Sequence, residues 1–208
     1  MPTPYVYERQ VEYWTSRGIE DFFLDNGFEV IVLPLTQLNE ADIPSDFIFR
    51  DRSTKKLFGL QFKVLYKNGD DFWNVDQTQH ETLRRFDWMY YGLSDLTSAA
   101  QHRTALHYLR IARPGFPYQP RLTRGHLSGW GTGGYFRWAA FYEGLRDCRW
   151  GRRICTPGEL RESLWPYPER AAPREITEIA DEVLLSDFEG RRAVRFSSLI
   201  QEGRNIQI

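Results

Sequence analysis

Asp46, Gln61 and Lys63 are the residues whose types and spacing point most directly to chemistry. They lie in PSDFIFRDRSTKKLFGLQFKVLYK, residues 44–67, which reads as two strands joined by a polar turn. Side chains alternate faces along a strand. That puts Gln61 and Lys63 on one side of the second strand, with Phe58, Leu60, Phe62 and Val64 on the other. In the first strand Phe47 and Phe49 point one way, and Asp46, Ile48 and Arg50 the other. If the phenylalanines share a core, a carboxylate, an amide oxygen and an ammonium converge on the opposite side. Hydrolysis of a phosphodiester needs an activated water and charge stabilisation on the departing oxygen, and one or two Mg²⁺ (or Mn²⁺) ions supply both. Such ions take hard oxygen ligands and keep several waters, so one or two carboxylates plus carbonyls suffice. Asp46 is then the principal ligand and Gln61 a neutral, weaker one. Lys63 stabilises charge on the attacked phosphate or orients the attacking water.

The elements that must position these residues can be read along the chain. Residues 5–26 predict a helix through Val11, Trp14, Ile19, Phe22 and Phe23, with a possible break at Gly18 and a stop at Asn26-Gly27. FEVIVLPL (28–35) is a β-branched strand ended by Pro34, and 36–44 reads as a loop. After the central hairpin come a turn at 67–71 and a short extended piece, 71–76. Helical character follows over 77–96, then a strand over 105–114. The region 114–134 is rich in Gly and Pro and reads as loop, with GHLSGWGTGG lacking the GK[ST] of a phosphate-binding loop. Residues 135–148 fit a helix or a strand, and the four prolines of 157–175 suggest a tether. An amphipathic helix is expected over 174–188 and a last strand over 191–200.

The order helix-strand-strand-strand-helix-strand, with Pro44-Ser45-Asp46 before the second strand and Gln61-Phe62-Lys63 in the third, resembles the PD-(D/E)xK nuclease superfamily. The resemblance spans residues 5–113. A Ser separates Pro44 from Asp46, and Gln61 stands where the usual acid would be, which makes the Mrr-like branch the nearer one. The resemblance implies an α/β fold: a restriction-endonuclease-like core, a mixed β-sheet flanked by helices, with a C-terminal helical extension. On this reading residues 1–113 form the core, and 114–208 are an arginine- and aromatic-rich part packed on it.

It further implies a metal-dependent DNA endonuclease, a role in restriction or anti-phage defence, and a third ligand from the first helix. Glu8, Glu12 and Glu20 compete for that place. Glu8 and Glu12 are four apart and fall beside the apolar stripe, whereas Glu20 falls nearly opposite it. Glu12 is favoured, with Glu20 the alternative if Gly18 breaks the helix. Gln79, near the start of the second helix, could also reach the site.

The formal net charge is −1, but its distribution is uneven. Residues 103–153 hold ten arginines against Glu143 and Asp147, so that stretch carries 10 − 2 = +8 and the remainder −1 − 8 = −9. Such asymmetry suits a polyanion-facing surface, and Arg121, Arg124, Arg149, Arg152 and Arg153 are the candidate nucleic-acid contacts. The interleaved Tyr118, Trp130, Tyr135, Phe136, Trp138 and Trp150 serve either as core or as stacking platforms. Residue types alone do not separate DNA from RNA.

No reading module such as a helix-turn-helix is visible, so target choice is expected from a homodimer, a partner ATPase or a targeting subunit. The same residues could instead serve a non-catalytic nucleic-acid-binding or scaffold protein that keeps this fold. Cys148 and Cys155 have no zinc-ligand spacing, and the four histidines form no HxH or HExxH pair. No apolar leader or 18-residue apolar run occurs, so a cytoplasmic protein away from membranes is expected.

Overall fold

The computed structural model describes residues 2–34, 45–129 and 134–165. A two-residue strand β1 (Thr3–Pro4) leads into helix α1 (Glu8–Asp25). The Tyr7 amide donates to Gln10 Oε1 at 3.4 Å at its start, and Asn26 Nδ2 donates to Phe22 O at 2.7 Å at its end. Val11, Thr15, Ile19 and Phe23, four residues apart, form its buried stripe. The helix runs unbroken through Gly18. There the missing side chain admits a neighbour: a Cβ would lie 3.1 Å from Leu106 Cγ. The expected break is thus a close-packing position.

Strands β2 (Val30–Pro34), β3 (Phe47–Asp51) and β4 (Lys56–Lys63) follow and pair antiparallel in sequence. Beyond Lys63 the chain leaves this sheet and becomes β5 (Leu65–Lys67), which pairs with β6 (Phe72–Asn74) and with β1. Helix α2 (Gln77–Leu83) crosses back to β7 (Met89–Ser94), which lies parallel to β4. A 3₁₀ segment (Ala99–Tyr108) runs into β8 (Leu109–Ala112). The remaining elements are β9 (Arg121–Thr123), α3 (Arg124–Gly129), β10 (Phe136–Arg137), α4 (Trp138–Arg146), β11 (Arg152–Arg153) and α5 (Pro157–Leu164).

The main sheet is mixed, in the order β10-β8-β7-β4-β3-β2, with β11 pairing the start of β4. The small sheet runs β1-β5-β6-β9. Alternation along β3 and β4 follows the sequence. Phe47, Phe49, Phe58, Leu60 and Phe62 share one core with α1 and α4. Ile48, Leu57, Tyr91 and Leu93 face the other core, with residues of α2, α3 and α5. The protein is therefore α/β, a mixed sheet with helices on both faces.

Several expectations are corrected. The helix expected over 77–96 stops at Leu83, and Met89–Ser94 is a central strand. All six of its residues are buried, so it lacks the alternation that marks a half-buried strand. It packs so closely on β4 that a Cβ at Gly92 would lie 2.7 Å from the Phe62 ring. The strand expected over 105–114 shrinks to Leu109–Ala112, because Ser98 and Gln101 cap a 3₁₀ segment before it: Ser98 Oγ accepts from Ala100 N at 3.2 Å, and the Ser98 amide donates to Gln101 Oε1 at 3.1 Å. The loop at 114–134 contains β9 and α3, and 135–148 is mostly the helix α4.

The supposed tether begins as α5, capped by Thr156 and Glu159 with Pro157 in its first turn. Strands β9, β10 and β11 all pair with strands from the first 113 residues, so the two stretches share sheets. The helix expected over 174–188 and the strand over 191–200 lie outside the described residues, as does the loop at 36–44.

Candidate functional site

Asp46 comes just before β3 and is held by its own backbone, its amide donating to Leu60 O at 3.0 Å. Ser45, between Pro44 and Asp46, is completely buried; its hydroxyl reaches Phe47 O at 2.7 Å and Leu60 O at 3.1 Å. Ser45 thus fastens the start of β3 to β4. This turns the Asp46 carboxylate toward the Gln61 side of the strand. Gln61 Nε2 donates to Asp46 Oδ1 at 2.8 Å, and the Phe62 amide donates to Oδ2. Gln61 Oε1 is buried and has no hydrogen-bond partner among the described residues.

Lys63 closes β4 at the point where the chain forks toward the small sheet. Its side chain is 14% exposed, and its Nζ stands 4.0 Å from Glu8 Oε1 in the first turn of α1. The fork brings the start of α1 within electrostatic reach of Asp46. Burial pushes the Asp46 carboxyl up to about 8; the Glu12 carboxylate adds to the rise, and Glu8 adds less. The Phe62 amide and the Lys63 ammonium pull the other way.

Of the three helix glutamates, Glu12 thus acts most strongly on Asp46. Glu20 is 5% exposed: it falls beside the buried Ser16 and Phe23 on α1, at the edge of the buried face and not opposite the stripe as expected. It is not among the charges that move the Asp46 proton. Gln79 donates its backbone amide to the helix cap Asp76 Oδ1 at 2.8 Å, and its side-chain oxygen is buried without a hydrogen-bond partner among the described residues.

Among the described residues, no three His, Cys, Asp or Glu side chains stand together in a metal-holding group. The donor set at the fork consists of Asp46 and Glu12 with the Gln61 amide oxygen. It fits a hard divalent cation in two respects: a buried oxygen acceptor lacks a donor, and Asp46 is a carboxyl whose charged form is disfavoured first by burial and then by the nearby Glu12 carboxylate, both of which a bound cation would offset. His80, completely buried, is a core residue whose ring nitrogens meet Tyr91 OH and Phe116 O, each at 3.1 Å.

The candidate nucleic-acid arginines divide into two groups. Arg149, Arg152 and Arg153 lie around β11, beside Lys56 and Leu57. That end of β4 is about 23 Å from Lys63 at ~3.3 Å per residue. Arg149 pairs with Asp147 at 3.1 Å and Arg152 with Asp87 at 3.7 Å. Arg121 and Arg124, at β9 and α3, are carried by the small sheet that continues from Lys63. Arg121 stacks its guanidinium 5.1 Å from the Phe72 ring centre, and Arg124 reaches Asp95 at 3.2 Å.

The sequence reading missed Arg110 and Arg137, which meet the same Asp95 at 2.6 and 3.4 Å. An arginine at an inward-facing position of a short strand was the available signal for Arg110. Among the described residues no helix is long and apolar enough to cross a membrane. No family model, curated protein or solved structure matches the chain.

Proposed function

We propose that this chain is a magnesium-dependent nuclease of the PD-(D/E)xK type, hydrolysing phosphodiester bonds in DNA. The observation that carries the reading is the meeting of Asp46, Gln61 and Lys63 on one side of the β3–β4 pair, with Glu12 acting on Asp46 from α1. Asp46, Glu12 and Gln61 Oε1 would hold Mg²⁺ (or Mn²⁺), which when bound supplies a more acidic water and charge stabilisation on the phosphate. Asp46 must release its proton to serve as a ligand, so metal binding is coupled to proton release and weakens as the pH falls. Lys63, kept beside the site by Glu8, stabilises charge on the attacked phosphate or orients the water. A second copy of the chain, an ATPase or a targeting subunit would direct the cut, and restriction or anti-phage defence is the setting this class suggests.

One observation favours a second reading, a scaffold that keeps the fold without cutting. Both Asp46 oxygens already accept hydrogen bonds, and a protonated Asp46 can serve as a strap between β3 and β4. A plasmid-cleavage titration with Mg²⁺ and Mn²⁺ decides between them. Cleavage that vanishes in Asp46→Ala and Lys63→Ala supports the nuclease; salt-sensitive binding with no cleavage supports the scaffold. The same assay on RNA fixes the nucleic acid.

A further inference from the structure

We propose that Arg110, Arg124 and Arg137, gathered on Asp95, form a cradle that grips the phosphate backbone of a nucleic-acid strand beside the Asp46–Lys63 site. The identity of the ligand as nucleic acid rests on the nuclease reading; the cradle itself rests on the geometry. Asp95 follows directly from the end of β7, its backbone amide donating to Tyr108 O at 2.8 Å, and its side chain is 8% exposed. Arg110 Nε meets Asp95 Oδ2 at 2.6 Å, Arg124 Nε meets Oδ1 at 3.2 Å, and Arg137 Nη2 meets Oδ2 at 3.4 Å. Arg137 also donates to His107 O at 3.0 Å, and Arg110 lies 4.5 Å from the Tyr135 ring centre.

One arginine would neutralise Asp95, and three converge on it. Arg124 also reaches Asp71, at 3.7 Å, so the cluster still holds three positive charges against two negative ones. Each guanidinium offers five N–H donors, about fifteen in all, whereas two carboxylates present about eight lone-pair sites. The side chains of Arg124 and Arg137 are 45% exposed, so their surplus donors are open to solvent. Guanidinium forks held in place by a buried carboxylate suit the bidentate recognition of phosphate.

The register fixes where this cradle lies. Lys63 pairs with Leu93, Leu93 with Arg110, and Arg110 with Arg137, a single row across four strands. Directly paired residues point to the same face, and Leu93 faces the core opposite Phe62. Lys63, Arg110 and Arg137 therefore share a face and an end of the sheet. At ~4.8 Å between strands, Arg110 is about 10 Å and Arg137 about 14 Å from Lys63 along the backbone row. At an axial rise of 3.4 Å per nucleotide, that is about three to four phosphates from the attacked one. On its other side Arg124 borders a cleft of about 410 Å³ shared with Asp70 and Asp71, whose carboxylates repel phosphate. The strand is thereby directed along the Arg110–Arg137 row.

The test uses the full chain and a fluorescein-labelled 20-base-pair DNA duplex in EDTA, with affinity followed against KCl concentration. Arg124→Ala/Arg137→Ala should lower affinity at 0.1 M KCl at least ~10-fold and flatten the slope of log K against log[salt] by about two. Arg137→Ala alone, at a half-exposed position, should flatten it by about one. Arg17→Ala/Arg52→Ala, at arginines ion-paired with Asp21 and Glu29 away from the Asp95 cluster, should leave the slope as in the wild type. A wild-type slope in the Arg124/Arg137 double variant, with its melting temperature unchanged, overturns the cradle, and so does a wild type that does not bind the duplex. Repeating the comparison in Mg²⁺ separates the two ideas. A wild type that binds through these arginines and never cuts removes the nuclease and keeps the cradle. One that cuts while the double variant binds normally removes the cradle and keeps the nuclease.

Discussion

The two ends of β3 each bury an aspartate, and their surroundings differ in kind. Asp51, completely buried at the far end, accepts from Ser53 N at 2.9 Å, Ser53 Oγ at 2.6 Å, Thr54 N at 3.4 Å and Thr54 Oγ1. Four local donors from its own turn satisfy it. Asp46, at the near end, accepts from one amide side chain and one backbone amide. It faces the carboxylates of Glu12 and Glu8, and its proton is held to about pH 8. The first arrangement completes a turn, and all its partners lie within three residues. The second gathers side chains from β3, β4 and α1 and leaves an acceptor, Gln61 Oε1, without a donor. A buried acid with local donors is structural; one pressed against other acids by distant elements is positioned for a ligand.

The largest test of this contrast is catalytic. Asp46→Ala and Lys63→Ala are each expected to lower Mg²⁺-dependent plasmid cleavage at least ~100-fold, about 3 kcal/mol of transition-state stabilisation. Asp51→Asn should leave cleavage per folded molecule within about two-fold, with the folded fraction read from circular dichroism. Equal loss at both ends, in folded protein, would erase the distinction.

Stability should move in the opposite sense. Asp51→Ala strands four donors at a buried turn and is expected to cost about 2–4 kcal/mol, read from chemical unfolding. Asp46→Asn at pH 8 without metal should be near neutral or stabilising. It removes a carboxyl held against Glu12, and rotation of the Gln61 amide can present Oε1 to the new amide. A loss as large as that of Asp51→Ala would make Asp46 a structural group.

The pH dependence comes next. Asp46 titrates near 8 in the folded chain against an ordinary value of 3.8, so the folded state binds its proton more tightly than the unfolded state does. Its contribution is complete below about pH 4 and is lost as the pH rises toward 8, by up to about 1.4 kcal/mol per pH unit. Urea unfolding from pH 5 to pH 8 without metal should show this decline, and Asp46→Asn should flatten it. Millimolar Mg²⁺ at pH 8 should restore part of the lost stability in the wild type alone. A wild-type profile identical to that of Asp46→Asn contradicts the raised proton affinity.

The same contrast explains what could be read from the sequence. Alternation in residues 46–64 is strict, since one face of β3 and β4 takes phenylalanines and the other takes Asp46, Gln61 and Lys63. The pairing of Asp46 with Gln61 was therefore legible. So was Glu12, because helical spacing places it beside the stripe of α1. Central strand β7 was not legible: Tyr90 and Tyr91 are buried on opposite faces, so the period of two vanishes. The caps at Ser98–Gln101 and Thr156–Glu159 were legible and overlooked; both fit the S/T-x-x-E/Q pattern. Of the Asp95 cradle only Arg110, as an arginine inside a short strand, left a mark in the sequence. The cradle depends on the register of four strands and on α3, all set by long-range pairing.

The smallest expected effect sharpens the comparison most. Gln61→Glu puts a carboxylate where the neutral amide now stands. Without metal, above pH 8 where Asp46 has lost its proton, it removes the Nε2 donor to Asp46 Oδ1 and sets two like charges in contact, so the apo protein should melt several degrees lower there. With metal the added charge is a gain, because a carboxylate oxygen is a stronger Mg²⁺ ligand than an amide oxygen. The Mg²⁺ midpoint for thermal stabilisation should fall about 3- to 10-fold. An unchanged midpoint with the apo destabilisation present would remove Gln61 Oε1 from the ligand set. The Gln61 side chain would then serve only as a donor to Asp46, as Ser53 and Thr54 serve Asp51, and the two ends of β3 would be alike.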